Sequence, residues 1–179
     1  MGIFRKAIQS WWQRSRQDWD LTVAAEKGDT DQVLALLDQG ANIEASRNYM
    51  TVLMWAAFGG HADTVRALLK RGAKINPHIV YDWNSFHMAV MGGNPEIVDL
   101  FLKQGADVNT KDPEHEITAL MYAAQDGHLE VVRLLLDHGA EINARDSISG
   151  SSALSYAASP EIKTLLKQRG AEEDPPEGW

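Results

Sequence analysis

The chain has 179 residues, 44% hydrophobic and 23% charged, which excludes global disorder and fits one folded domain of soluble type. It has no cysteine, so disulfides, thiolate metal sites and a cysteine nucleophile are excluded. Its net charge of −8 argues against nucleic acid as a partner, because neutralising phosphates needs a basic face.

Residues 1–19 carry Arg5, Lys6, Arg14 and Arg16 against Asp18 alone, so the rest of the chain is more acidic than the total. At about 100° per residue, Ile3, Phe4, Ala7, Ile8, Trp11, Trp12 and Trp19 fall on one half of a helical wheel. Arg5, Lys6, Gln9, Gln13, Arg16 and Gln17 fall on the other, so residues 3–19 form an amphipathic helix. No apolar run reaches the roughly 18 residues of a membrane span. No secretory h-region follows Arg5 and Lys6, and Lys6 stands where N-myristoylation wants Ser or Thr. A cytoplasmic protein is expected.

From residue 20 the chain repeats. Gly-Ala recurs at Gly40, Gly72, Gly105, Gly139 and Gly170, at intervals of 31 to 34 residues. Each follows an apolar helical block, as in LALLDQGA, RALLKRGA, DLFLKQGA, RLLLDHGA and TLLKQRGA. A second helical block lies upstream of each. Thr51, Asn84, Thr118 and Ser152 are placed as N-caps, and Gly60, Gly93 and Gly127 as left-handed stops. Asn94-Pro95 and Ser159-Pro160 open second helices. Residues 75–83, 108–117 and 142–151 read as hairpin-like loops, the units beginning at Asp112 and Asp146 having one extra residue there. The last unit is shortened between its helices at Ser159-Pro160-Glu161. The end, AEEDPPEGW, is an acidic tail. The expected division is 1–19 capping helix, 20–171 repeats (units about 20–45, 46–77, 78–110, 111–144 and 145–171) and 172–179 tail.

These units resemble the ankyrin repeat, whose period is about 33 residues and whose core pattern is T-P-L-H-x-A. The likeness covers about residues 20–171. It departs from the pattern where Val52, Ser85, Ala119 and Ala153 replace the Pro, and where Tyr49, Asp82 and Glu116 replace the Gly kept as Gly150. The resemblance implies an all-α ankyrin-repeat solenoid of five helix-turn-helix units with hairpin-like loops. It also implies a non-catalytic protein-binding role on the concave surface. His61, His87 and His128 fall on the family's structural histidines. Since terminal repeats need covering, residues 3–19 are expected to cap the first unit, with Ile8, Trp11 and Trp12 turned inward. The same Trp- and Arg-rich face also fits a membrane surface, which makes a peripheral membrane adaptor the alternative.

Chemistry is sparse. There is no HExxH, phosphate-binding glycine loop or GxSxG, so no catalytic residue, metal or cofactor is expected. His138 suits a helix C-terminus, and only His78 and His115 lack a structural role. Asp112, Glu114 and Glu116 lie close together but read as a solvated acidic loop, because the EF-hand pattern is absent. Asn42, Asn76, Asn109 and Asn143 read as turn residues bonding their own backbone.

The binding signal lies in the loops and the ends of the first helices. The second unit offers Arg47, Asn48, Met50 and Phe58; the third offers Val80, Tyr81, Trp83 and Met91; the fourth offers Glu114, His115, Ile117, Gln125 and Asp126. Tyr81 and Trp83 stand out, since exposed loops are usually polar and such aromatics are enriched at interface hot spots. Trp55, Met88, Tyr122 and Tyr156 precede the small pair in every unit and are assigned to packing between repeats. The expected protein is monomeric on its own, with a protein partner and no nucleic acid. An inhibitor or immunity-type role is the narrower version of that reading.

Overall fold

The computed structural model describes residues 2–75 and 84–173, with side chains from residue 15 onward. Two rows of helices run through it. The inner row is α1 (Gly2–Lys27), α3 (Val52–Phe58), α5 (Ser85–Gly92), α7 (Ala119–Gln125) and α9 (Ala153–Tyr156). The outer row is α2 (Thr30–Asp38), α4 (Ala62–Lys70), α6 (Pro95–Lys103), α8 (Leu129–Asp137) and α10 (Pro160–Gln168). Each helix packs on its own partner and on the same helix of the next unit. A short hairpin, β1 (Ser46–Arg47) with β2 (Met50–Thr51), projects from the second unit.

Local chemistry starts and stops these helices. Thr51 and Thr118 accept the amides of Met54 and Met121 at 3.3 Å, and Asn84 accepts that of His87 at 3.0 Å. Ser152 holds the same N-cap position. Asn94 and Ser159 cap α6 and α10 with Pro in the first turn. The shortened last unit turns between α9 and α10 within three residues.

The core is a ladder of matching positions. Leu36, Leu68, Phe101, Leu135 and Leu166 each stand four residues before the glycine that ends the outer helix, and all are buried. The inner row contributes Ala24-Ala25, Ala56-Ala57, Ala89-Val90 and Ala123-Ala124, also buried. Small residues there let neighbouring helices close on one another. Gly92 takes this furthest: a Cβ on it would lie 2.6 Å from the carbonyl oxygens of Ala57 and Phe58.

Two of the histidines read as structural, His61 and His128, tie unit to unit. The Nε2 of His61 lies 2.9 Å from the Glu26 carbonyl, and that of His128 lies 3.0 Å from the Met91 carbonyl. Where the third unit has Asn94 instead, its amide donates to the Gly60 carbonyl at 2.9 Å. His138 ends α8 3.8 Å from the Asp99 carboxylate of α6.

Two expectations need correction. Asn42 does bond its own turn, accepting the Glu44 amide at 3.0 Å. Asn109 and Asn143 instead accept amides of the following unit's turn, those of Glu141 and Glu172, both at 2.9 Å. Asn76 lies outside the described residues. The head is also not a separate element. Helix α1 runs unbroken from Gly2 to Lys27, about 39 Å at 1.5 Å per residue, with no Gly or Pro after Gly2 to break it. The capping segment and the first inner helix are thus one rod. The side chains of Ile8, Trp11 and Trp12 lie outside the described residues.

The hairpin keeps its geometry without the family glycine. Asn48 and Tyr49 have φ of 52° and 63°, and Glu116 has 56° where Gly150 has 68°. Two left-handed residues in succession make the type I′ turn that suits strand twist. A tyrosine held there costs about 1–2 kcal/mol, against a glycine entropy cost of about 0.5–1 kcal/mol. Tyr49→Gly is therefore expected to raise unfolding stability by about 0.5–1 kcal/mol in urea titration. A loss would show that contacts of the tyrosine ring outweigh the backbone strain.

Candidate functional site: the concave face and its fingers

Inner helices and loops together form one face. The residue before each small pair is Val23, Trp55, Met88, Tyr122 or Tyr156, and the residue after it in the first four units is Glu26, Phe58, Met91 or Gln125. Trp55, Tyr122 and Tyr156 have a further role beyond packing between repeats: each fastens its own unit's loop. The Trp55 indole N–H donates to the Arg47 carbonyl at 3.2 Å, and the Tyr122 and Tyr156 hydroxyls donate to Asp112 and Asp146 at 3.3 Å. Met88 has no polar tip and is simply buried.

Asp112 and Asp146 organise the longer loops. Asp112, 1% exposed, accepts the amides of Glu114 at 3.0 Å, His115 at 2.7 Å and Ile117 at 2.8 Å. Asp146 repeats this with the amides of Ile148 and Ser149 at 2.7 Å and Ser151 at 3.0 Å. Added loop length is wound around one carboxylate in each case. The Ser147 amide donates to the His115 carbonyl at 2.9 Å and joins the two loops. Burial pushes the Asp146 carboxyl up, but the amides of Ser149, Ile148 and Ser151 outweigh it and hold it below the ordinary value. Burial, then the adjoining carboxylate of Asp112 or Asp146, pushes the Tyr122 and Tyr156 hydroxyls up. Asp112 is thus no open cation ligand, and no cluster of metal-ligating side chains occurs among the described residues.

His87 lies beneath this network, fully buried, its ring edge-on to Tyr122 with centroids 6.2 Å apart. Burial lowers its pKa from 6.5 to about 4, although Asp112 and the Thr110 backbone pull upward. The imidazole is therefore neutral in the fold. Its contribution to stability is complete above pH 6.5 and is lost as pH falls toward 4, by about 3 kcal/mol at 1.36 kcal/mol per pH unit. Urea titrations at pH 7 and pH 4.5 should show a larger loss for the native chain than for His87→Gln. Parallel losses would show that His87 does not carry this dependence.

The first finger is held differently. Arg47 lies between two tryptophans, its guanidinium carbon 5.3 Å from the Trp19 ring centroid and 4.3 Å from that of Trp55. It also pairs with Glu26, and its side chain is only 13% exposed. Arg47 therefore clasps the finger to α1, and its charge is already engaged. Asp18 completes the contact by accepting the Asn42 amide at 2.7 Å.

The other candidate residues divide. Asn48, Phe58 (45% exposed), Glu114, Gln125 and Asp126 lie open, and Met50, Met91 and His115 are half-buried. Ile117 is a correction: at 8% exposure it belongs to the core, because the chain turns inward where its amide meets Asp112. Val80, Tyr81, Trp83 and His78 lie outside the described residues. Sequence reasoning passed over Tyr49, 65% exposed at the hairpin tip. Its position in a glycine's place was the available signal.

On the opposite side, a groove of about 670 Å³ opens between α4 and α6, lined by Arg66, Leu69, Lys70, Ala73, Lys74, Ile75, Leu100 and Gln104. No histidine or carboxylate lines it. Arg66 on its rim is engaged with Glu96 and Asp63. No helix among the described residues is long and apolar enough to cross a membrane. The surface-binding alternative for residues 3–19 depends on side chains most of which lie outside the described residues.

A family model described as "Ankyrin repeats (3 copies)" matches residues 21–112 and 86–175. The human Ankyrin repeat and KH domain-containing protein 1 is 44% identical over 57 residues, which is 31% of this chain and 2% of that protein. The chain thus spans a small fraction of that relative's length. The family match takes in both rows of helices and the fingers between them: the chain belongs to the ankyrin-repeat family.

Proposed function

We propose that this chain is a non-catalytic protein-binding module that takes its partner along the inner helices and finger tips. Ankyrin repeats as a class are protein–protein interaction modules. The observation that carries the reading is the contrast between two faces. Phe58 and Tyr49 stand 45% and 65% exposed on the finger side. The outer helices instead carry charges neutralised by their own neighbours, as in Arg71 with Asp38 and Arg169 with Asp137, both at 2.7 Å. Exposed aromatics on a rigid concave surface are what a binding hot spot requires. A partner lying along several units would have its own contact surface occluded, which suits an inhibitor or immunity-type role.

The test is affinity for the partner recovered from the native host. Phe58→Ala should weaken binding by more than about 1 kcal/mol, with an unchanged melting temperature. Arg133→Ala on α8 should leave binding unaltered. Equal losses from both would overturn the assignment of the face.

A further inference from the structure

We propose that the groove between α4 and α6 is a second docking surface, and that it takes an acidic peptide segment whose carboxylates adjoin an apolar side chain. The carboxylates meet Lys70 and Lys74, and the apolar side chain lies on Leu69, Ile75 and Leu100. This surface is separate from the concave face and does not depend on the reading of that face.

The seams between successive outer helices carry the argument. At the other three seams, a carboxylate of one helix reaches the residue that caps the C-terminus of the next. Asp38 meets Arg71 and Asp137 meets Arg169, both at 2.7 Å, and Asp99 lies 3.8 Å from His138. At the α4–α6 seam both halves differ. Lys70 stands where Asp38 and Asp137 stand, two residues before the glycine, and the C-cap of α6 is Gln104. Lys74 repeats the change two residues after the glycine, where the other units have Asn42, Asp107, Glu141 and Glu172. Both lysines are exposed, and neither ammonium has a carboxylate beside it among the described residues. The Glu44 carboxylate accepts the Lys74 backbone amide at 2.9 Å and makes no ion pair with its ammonium. Lys70, in the last turn of α4, suits the negative end of that helix, but Lys74 lies past it. The seam thus gathers cations where its counterparts hold an acid, and a partner's carboxylate supplies the missing half.

The shape of the seam selects a peptide. Its groove of about 670 Å³ falls in the range of about 300–1,000 Å³ usual for binding clefts. Leu69, Ile75 and Leu100 line it half-buried, so apolar surface lies beside the two ammoniums. A lone phosphate would satisfy the lysines and leave that apolar surface in water. A segment with an acid next to an aliphatic or aromatic residue satisfies both.

The experiment is selection of a random peptide library, displayed on phage, against the immobilised full chain, with elution by high salt. Peptides in which Asp or Glu adjoins an apolar residue should be enriched. A synthetic copy of the most enriched one should lose about tenfold or more in affinity on K70E/K74E, and about threefold or more on L100A. It should bind more weakly as salt is raised. It should be unaffected by F58A on the concave face and by K163E/K167E, which reverses two exposed charges on α10. All four variants should keep the native melting temperature within a few degrees; if K70E/K74E does not, K70Q/K74Q takes its place with the same expected direction. Basic or uncharged peptides, no enrichment, or acidic peptides indifferent to the lysine variants would overturn the proposal. Acidic peptides lost equally on K163E/K167E would also overturn it, as attraction to charge alone. Peptides lost on F58A but not on K70E/K74E would overturn it and leave the concave face standing. Phosphatidylserine vesicles or inorganic phosphate bound through Lys70 and Lys74, with no acidic peptide enriched, would replace the peptide with a different ligand and overturn it too.

Discussion

Leu135→Ala should lower the unfolding free energy by about 2–5 kcal/mol, while Glu114→Ala should change it by about 0.5 kcal/mol or less. Leu135 is fully buried on α8, which packs between α6 and α10. Its truncation removes buried apolar volume from a helix that contacts both neighbouring units. A stack of repeats is stable mainly through such nearest-neighbour interfaces, and a whole domain has only about 5–15 kcal/mol to lose. Glu114 is exposed, and its carboxylate has no partner among the described residues. Urea denaturation of both variants decides the matter. Equal losses would contradict the alignment of the outer helices.

Asp112→Ala should be nearly as costly, at about 2–5 kcal/mol, although the residue is a loop aspartate. Its carboxylate satisfies three amides and the Tyr122 hydroxyl. Without it the buried Ile117 amide has lost its acceptor, and the loop unwinds from α7. Asp112→Asn, which keeps one carbonyl acceptor, should fall between alanine and the native chain. Hydrogen exchange at the Ile117 amide should accelerate in the alanine variant before other amides change. If Asp112→Ala matches Glu114→Ala in stability, the loop does not depend on this carboxylate. Asp146 should show the related pH effect. Its carboxyl is held below the ordinary 3.8, so its contribution is present above that value and lost as pH falls through the lowered one.

What was legible in the sequence was what local chemistry dictates. Thr51, Asn84 and Thr118 cap helices because their side chains reach an amide three residues on. Leu68, Phe101 and Leu135 are core because helical spacing puts them on one stripe. The glycine stops follow from positive φ. The fingers were less legible because their contacts join distant residues. Arg47 reads as an exposed finger cation until Trp19, a full unit upstream, is seen against its guanidinium. Ile117 reads as a loop tip until the turn around Asp112 carries it inward. The union of the head with the first repeat was legible in principle, since nothing between Ile3 and Lys27 breaks a helix. The repeat period, which places a unit boundary near residue 20, pointed the other way.

The concave-face account is tested most directly by hydrogen–deuterium exchange of the chain with and without the partner recovered from its native host. Slowed exchange should map to the first finger and α3, residues 46–58, and to the fourth finger and α7, residues 112–126. The outer helices α8 and α10 should exchange as they do in the free chain. Slowed exchange confined to α8 and α10, or to the groove between α4 and α6, would contradict the account.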